Sequence, residues 1–182
     1  MERIKILFFI VGAFFGIERS LIISENTSIT IHPQEKTIAI LQENLITISK
    51  NATDSLNVLT ELETLLQQSP TWHSDLKQFR HKKKHFFISE DQQTLNSKLE
   101  LSYTTVLDLN VFGITLNKDG QFSMTDFPKS HIQTKDGKLV NGYWHFNSDK
   151  PFTFSEAPLT DLPESFKKHK KSVLPFFITL QK

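Results

Sequence analysis

The chain of 182 residues contains no cysteine. That excludes disulfides, thiolate-ligated zinc, iron–sulfur clusters, thiol catalysis and the lipid-bearing cysteine of a bacterial lipoprotein. It does not choose a compartment, since an exported protein can do without disulfides. Glycine (6) and proline (7) are sparse, which excludes collagen-like and proline-rich fibres. Charge of one sign is also lacking. Lys plus Arg is 21 against 20 for Asp plus Glu, so no overall bias points to nucleic acid. No nucleophile elbow GxSxG, phosphate loop or HExxH pair occurs. There is no internal repeat and no low-complexity linker. What remains is an ordinary globular balance, 38% hydrophobic and 23% charged, which argues for one folded domain.

The N-terminus is apolar. Met1–Lys5 is a short, net basic start, and Ile6–Ile17 is an uncharged run. As a helix of about 1.5 Å per residue that run would reach roughly 18 Å, short of the roughly 30 Å hydrocarbon core. Residues 1–24 are therefore expected to be a signal peptide or, reaching to about Ile23, a signal anchor. The plainer alternative is a buried N-terminal helix or strand of a cytosolic protein. The remainder, 25–182, is expected to be a single α+β domain.

Periodicity organises that remainder. Alternation at Ile29/Ile31, Ile38/Ile40 and Ile46/Ile48 predicts two or three strands, with a turn over Pro33–Lys36. The period then lengthens. Leu56, Val58, Leu59, Leu62, Leu65 and Leu66 recur at helical spacing, so a long helix is expected over Asp54–Gln68. Thr53 or Asp54 would cap it, Asn57, Glu61, Glu63 and Gln67 would form its wet face, and Pro70 would close it. A shorter helix is expected from Ser74 through Phe79 into a run of bases.

Residues 95–111 alternate, with the odd positions apolar from Leu95 to Val111, apart from Ser97 and Thr105. Seventeen residues at about 3.3 Å would span roughly 56 Å, so a bulge or bend is expected between Thr104 and Asn110. Turns at Asn117–Gly120, Lys135–Lys138 and Asn147–Pro151 then suggest an antiparallel meander. A helix capped near Thr160 or Asp161, and a closing strand through Phe176, Ile178 and Leu180, complete the reading. The fold expected is α+β: a bent antiparallel meander of six to nine strands on one long helix, with one or two short helices.

Candidate chemistry is thin. His73-Ser74-Asp75 are triad residue types, but adjacent residues cannot converge as a triad does. His81 and His85 have the four-residue spacing of two metal ligands on a helix, yet Lys82–Lys84 between them oppose a dication. Asp119, Asp136 and Asp149 are explained by turns. Asn26-Thr27-Ser28 and Asn51-Ala52-Thr53 fit the glycosylation acceptor pattern. No catalytic residue, metal ligand or cofactor is assigned.

Two features carry information. Twelve of the 16 phenylalanines lie at or after Phe79, so an aromatic-lined apolar pocket is one candidate site, with Tyr103, Phe112, Trp144, Phe146 and Phe154 as lining. Charge is also segregated. Lys77, Arg80, Lys82, Lys83 and Lys84 form one acid-free segment, and Lys167, Lys168, Lys170 and Lys171 a second. Together they hold nine of the 21 bases, which leaves the rest of the chain at −8. Each is followed by a phenylalanine pair, Phe86-Phe87 and Phe176-Phe177. Bases beside apolar residues suit an anionic surface. The alternative is solubilising lysines at two helix ends.

The expected function is that of a non-enzymatic, exported or membrane-anchored envelope protein. It would bind an apolar small molecule, an anionic membrane surface or an envelope protein partner; nucleic acid is not expected. The alternative is a small exported enzyme of hydrolase type.

Overall fold

The computed structural model describes residues 6–182, so the basic start at Met1–Lys5 lies outside the described residues. Two antiparallel sheets and three α-helices make a mixed α+β fold. Strands β1 (Ile23–His32) and β2 (Thr37–Ile48) form a hairpin around the Pro33–Lys36 turn. Their register sets Ile29 opposite Ile40 and Ile31 opposite Ile38, and all four are buried on one face.

Helix α1 (Ala52–Leu66) follows. Its cap is Asn51, whose side chain accepts from the Asp54 amide at 2.9 Å, rather than Thr53 or Asp54. Asp54 in turn accepts from the Lys50 amide at 2.8 Å, which satisfies a second donor at this end. Val58, Leu62 and Leu65 are buried as the helical spacing requires, but Leu56 is 63% exposed. Glu61, expected on the wet face, is buried instead, for a reason that lies in the N-terminal run.

The basic segment after residue 76 is not the end of a helix. A single 3₁₀ turn at Ser74–Leu76 gives way to strand β3 (Arg80–Ile88), paired with β4 (Leu95–Ser102). The odd positions of β4 are interior, as the alternation predicts: Leu95, Ser97, Leu99 and Leu101 are buried, and Tyr103 beyond them. The alternation past Tyr103 is not strand. Thr105 and Asp108 cap each other's main chain, and Val106–Phe112 winds into a 3₁₀ helix.

A second sheet is formed by β5 (Ile114–Leu116), β6 (Phe122–Thr125), β7 (Gly137–Val140) and β8 (Tyr143–Phe146), in the order β5-β6-β8-β7. The Asn117–Gly120 turn joins β5 to β6 as expected. The Lys135–Lys138 signal does not make a hairpin: Gln133 bridges to Ser155 and β7 pairs with β8 through Asn141-Gly142. After Asn147–Pro151 the chain crosses to the first sheet, where β9 (Phe152–Glu156) pairs with β1. The architecture is therefore two sheets rather than one meander.

Helix α2 (Glu164–Lys167), strand β10 (Lys170–Ser172) on β2, and helix α3 (Leu174–Leu180) end the chain. The expected closing strand at 176–180 is thus helical, with Pro175 in its first turn, where a missing N–H costs nothing. The larger sheet runs β3-β4-β2-β1-β9, with β10 on β2, which leaves β3 at one edge.

The apolar run at 6–17 lies in the core. Ile6, Phe8, Val11, Phe14 and Phe15 are buried, and Val11–Phe15 forms a 3₁₀ helix ended by Gly16. The Phe8 ring stacks on Phe112 at 4.8 Å and meets Phe154 edge-on at 5.7 Å. Polar groups are dedicated to this segment. Gln42 Nε2 donates to the Phe8 carbonyl at 2.7 Å and the Ser24 amide to Phe9 at 2.9 Å. The Gly12 amide donates to the Ser20 hydroxyl at 3.1 Å, and Glu61 holds the chain just beyond the run, accepting from the Ser20 hydroxyl at 2.5 Å and the Leu21 amide at 2.7 Å. Among the described residues, no helix is long and apolar enough to cross a membrane.

Removing the Phe8 ring deletes aromatic contacts to two other elements and leaves a cavity. Phe8→Ala should lower stability by about 3–5 kcal/mol in denaturant unfolding. Leu56→Ala, at an exposed position of α1, should change it by less than about 0.5 kcal/mol. Equal effects would place the N-terminal segment outside the cooperative core.

Candidate functional site

The free edge of β3 overlooks a groove of about 860 Å³. One wall is Lys82–Phe86. The other is the segment Gln67–Pro70 that leaves α1, with Trp72 beyond it, and Phe177 of α3 with Gln181 just after that helix closing one side. None of its 13 lining residues is acidic.

Backbone alternation explains why this edge is open. The Ser89 amide donates to the Thr94 carbonyl, so the odd residues Lys83, His85 and Phe87 turn their main-chain groups towards β4. The Tyr103 amide bonds to Lys36 on the far side of β4, which gives the same phase. Main-chain N–H and C=O groups of Lys84, Phe86 and Ile88 consequently point away from β4. No other described strand pairs with them.

The three lysines are not equivalent. Lys84 Nζ donates to the Leu65 carbonyl in the last turn of α1, and lies over the rings of Phe15 at 5.7 Å and Phe86 at 5.9 Å. Helix α1 has no basic residue of its own in that turn, so β3 supplies the cation its C-terminus favours. Burial holds the Lys84 ammonium below its ordinary pKa. Lys82 Nζ donates to the Phe79 carbonyl at 2.6 Å. Lys83 is exposed. It pairs in register with Glu100, whose carboxyl is held low by a hydrogen bond and charge attraction from Lys98, with a smaller contribution from Lys83. Of the three, Lys83 is the exposed ammonium, whereas Lys82 and Lys84 are half-buried and each donates to a main-chain carbonyl.

The remaining basic candidates lie outside this groove. Lys77, Arg80 and Lys168 are exposed, and none of them lines it. Lys167 pairs with Glu164 at 2.7 Å, Lys170 with Glu25, and Lys171 donates to the Ser49 hydroxyl at 3.3 Å. The second basic segment thus meets local partners. Only Lys82, Lys83 and Lys84 of the nine converge on the groove, joined by His85, Trp72, Phe86 and Phe177. Trp72 stands next to no base in the sequence, and Phe177 reaches the groove only because 174–180 is helical.

The aromatic candidates are packed. Tyr103, Phe112, Phe146 and Phe154 are buried, and Phe146 stacks on Phe152 at 4.4 Å. Trp144 is half-buried, with its indole N–H on Asp126 at 2.9 Å. Phe8 and Phe14 pack against Phe112, at 4.8 and 6.0 Å between ring centres. Among the described residues no group of three His, Asp or Glu could hold a metal ion, and His81 and His85 lie on a strand with a register shift before Lys83. Comparison with protein-family models, curated proteins and solved structures finds no match to this chain.

One carboxyl stands apart. Glu156 on β9 is buried, its Oε2 has no hydrogen-bond partner, and burial pushes its pKa up to about 7 from an ordinary 4.5. The folded state holds this proton more tightly than the unfolded state. Stability from this group is therefore complete below about pH 4.5 and is lost as pH rises through about 7, by about 3 kcal/mol in total. Glu156→Gln should match the parent near pH 4 and exceed it in stability at pH 8.5. A constant difference across that range in urea melts would show that Glu156 does not titrate this way.

Proposed function

We propose that the chain is a non-enzymatic binding protein of the cell envelope that holds an anionic partner along the basic edge of its larger sheet. The observation that carries this reading is the groove itself: three lysines and a histidine without an acid, beside Trp72, Phe86 and Phe177. Charge of one sign raises the encounter rate with an opposite charge, and aromatic side chains in the same groove add apolar contact area. An envelope location is what the apolar run at 6–17 favours. Because that run packs inside the folded domain, its use as an address would precede folding, and the segment would be retained in the mature protein.

The full chain should bind a fluorescent acidic peptide or vesicles containing phosphatidylserine, and should not bind neutral phosphatidylcholine vesicles. Binding should weaken as salt rises, since exposed charges are screened over about 10 Å at 0.1 M. Lys82→Gln with Lys83→Gln should weaken it at least fivefold without altering the thermal melt. Lys84 is left in place because it holds the end of α1. Equal binding to neutral and anionic probes, or binding to neither, would overturn the reading. Intact-mass measurement on envelope fractions should show residues 6–24 present.

A further inference from the structure

We propose that the free edge of β3 takes an acidic, extended peptide segment of another protein as an added β-strand; this rests on the anionic-partner reading above and names the partner. Three observations carry it. The first is the hydrogen-bonding array. Lys84, Phe86 and Ile88 present main-chain donors and acceptors away from β4, Lys84 and Phe86 at the groove and Ile88 just beyond it, and no described strand pairs with that edge. From Lys84 to Ile88 the edge extends about 13 Å at about 3.3 Å per residue, room for a strand of five or six residues.

The second is the character of the two faces. A strand added here would place successive side chains alternately on the Lys83/His85 face and on the Lys84/Phe86 face, because side chains alternate along the sheet. The first face is exposed and offers cross-strand partners for carboxylates. The second adjoins Trp72 and Phe177 across the groove and offers apolar contact. The ligand best matched is therefore a segment in which Glu or Asp alternates with apolar residues. Main-chain bonds would hold it, and the alternating side chains would select it.

The third is what the charges reject. Arg80, Lys82, Lys83 and Lys84 lie on one short edge strand. A second copy of this chain pairing through β3 would bring two such sets within a Debye length of each other, and lysines on edge strands commonly prevent self-pairing. A bilayer would meet the same charges but could not use the main-chain array, since a membrane surface presents no complementary ladder of peptide groups.

The test uses the full chain and two synthetic peptides: an eight-residue peptide alternating Glu and Val, and the same peptide with its two central valines replaced by proline. The charge is identical, but proline removes donors and does not fit a ladder. The Glu/Val peptide should bind at least tenfold more tightly. On binding, backbone amides of Lys84, Phe86 and Ile88 should exchange with deuterium at least tenfold more slowly, and those of Lys83, His85 and Phe87 should change little. Equal affinity for both peptides would overturn strand addition while leaving a charge-driven surface in place. Binding of neither peptide, together with binding to phosphatidylserine vesicles, would assign the groove to a membrane instead. Binding of neither peptide nor vesicle would overturn both readings. Light scattering on the full chain should show a monomer; a dimer that the Glu/Val peptide dissociates would show that β3 pairs with itself and would overturn the argument that its charges prevent self-pairing.

Discussion

The fold depends on the seating of the Phe8–Phe9 main chain on a row of buried polar side chains. Thr27, Gln42 and Ser97 stand in register across β1, β2 and β4, all fully buried. A polar row inside a sheet is costly unless each group finds a partner. An irregular apolar segment laid into a core has the reciprocal problem, since beyond a single bridge from Ile10 to Ile23 it has no continuous ladder to pair with. Each answers the other. The Ser97 hydroxyl donates to Gln42 Oε1, Gln42 Nε2 donates to Phe8, and Ser24 covers Phe9. With the main chain held, the Phe8 ring can stack on Phe112 and meet Phe154, so elements far apart in sequence share one aromatic cluster. The row extends to Glu156 opposite Thr27 on β9, and there one carboxyl oxygen is left without a partner. The unsatisfied end of the row is the place where pH acts.

Much of this was legible and some of it was not, for identifiable reasons. The alternation of β1, β2 and β4 and the leucine spacing of α1 report directly which side chains face inward. Two later alternations misled. Leu107 and Leu109 continue the odd phase of β4, but the mutual capping of Thr105 and Asp108 turns the chain into a 3₁₀ helix. Phe176, Ile178 and Leu180 read as strand, yet Pro175 starts a helix there. Short apolar runs do not distinguish the two periods, and the capping residues were the better signal. The run at 6–17 is a harder case. Its composition reads first as an export signal or anchor, yet an uncharged apolar run also suits a protein core. What commits it to the core here are Gln42, which holds the Phe8 carbonyl from 34 residues away, and Glu61, which holds Ser20 and through it the Gly12 amide, and these partners cannot be read from spacing.

The candidate groove divides in the same way. Lys82–Lys84 and Phe86 were visible as a basic cluster beside an aromatic pair. Reading them as a helix end hid their place on an edge strand, because a helix end has no free ladder. Trp72 was not visible, since it belongs to an irregular segment, and Phe177 stood out only beside the second basic segment, on a helix that alternation disguised.

The core segment and the groove are also mechanically connected. Phe15 packs its ring against Trp72 at 4.8 Å, and the His73 amide donates to the Phe14 carbonyl at 2.8 Å. The segment that forms the far wall of the groove is therefore pinned at its end by the N-terminal run. Lys84 closes the circuit, with its ammonium against the end of α1 and over the same Phe15 ring. Taking residues 6–17 out of the fold would empty the core beneath the larger sheet and also free Trp72 and the last turn of α1. A signal peptide is discarded after use, whereas this segment holds one wall of the groove to the other. Both walls of the groove thus rest on the N-terminal run, one through Phe15 on Trp72 and Phe14 on His73, the other through Lys84 over Phe15.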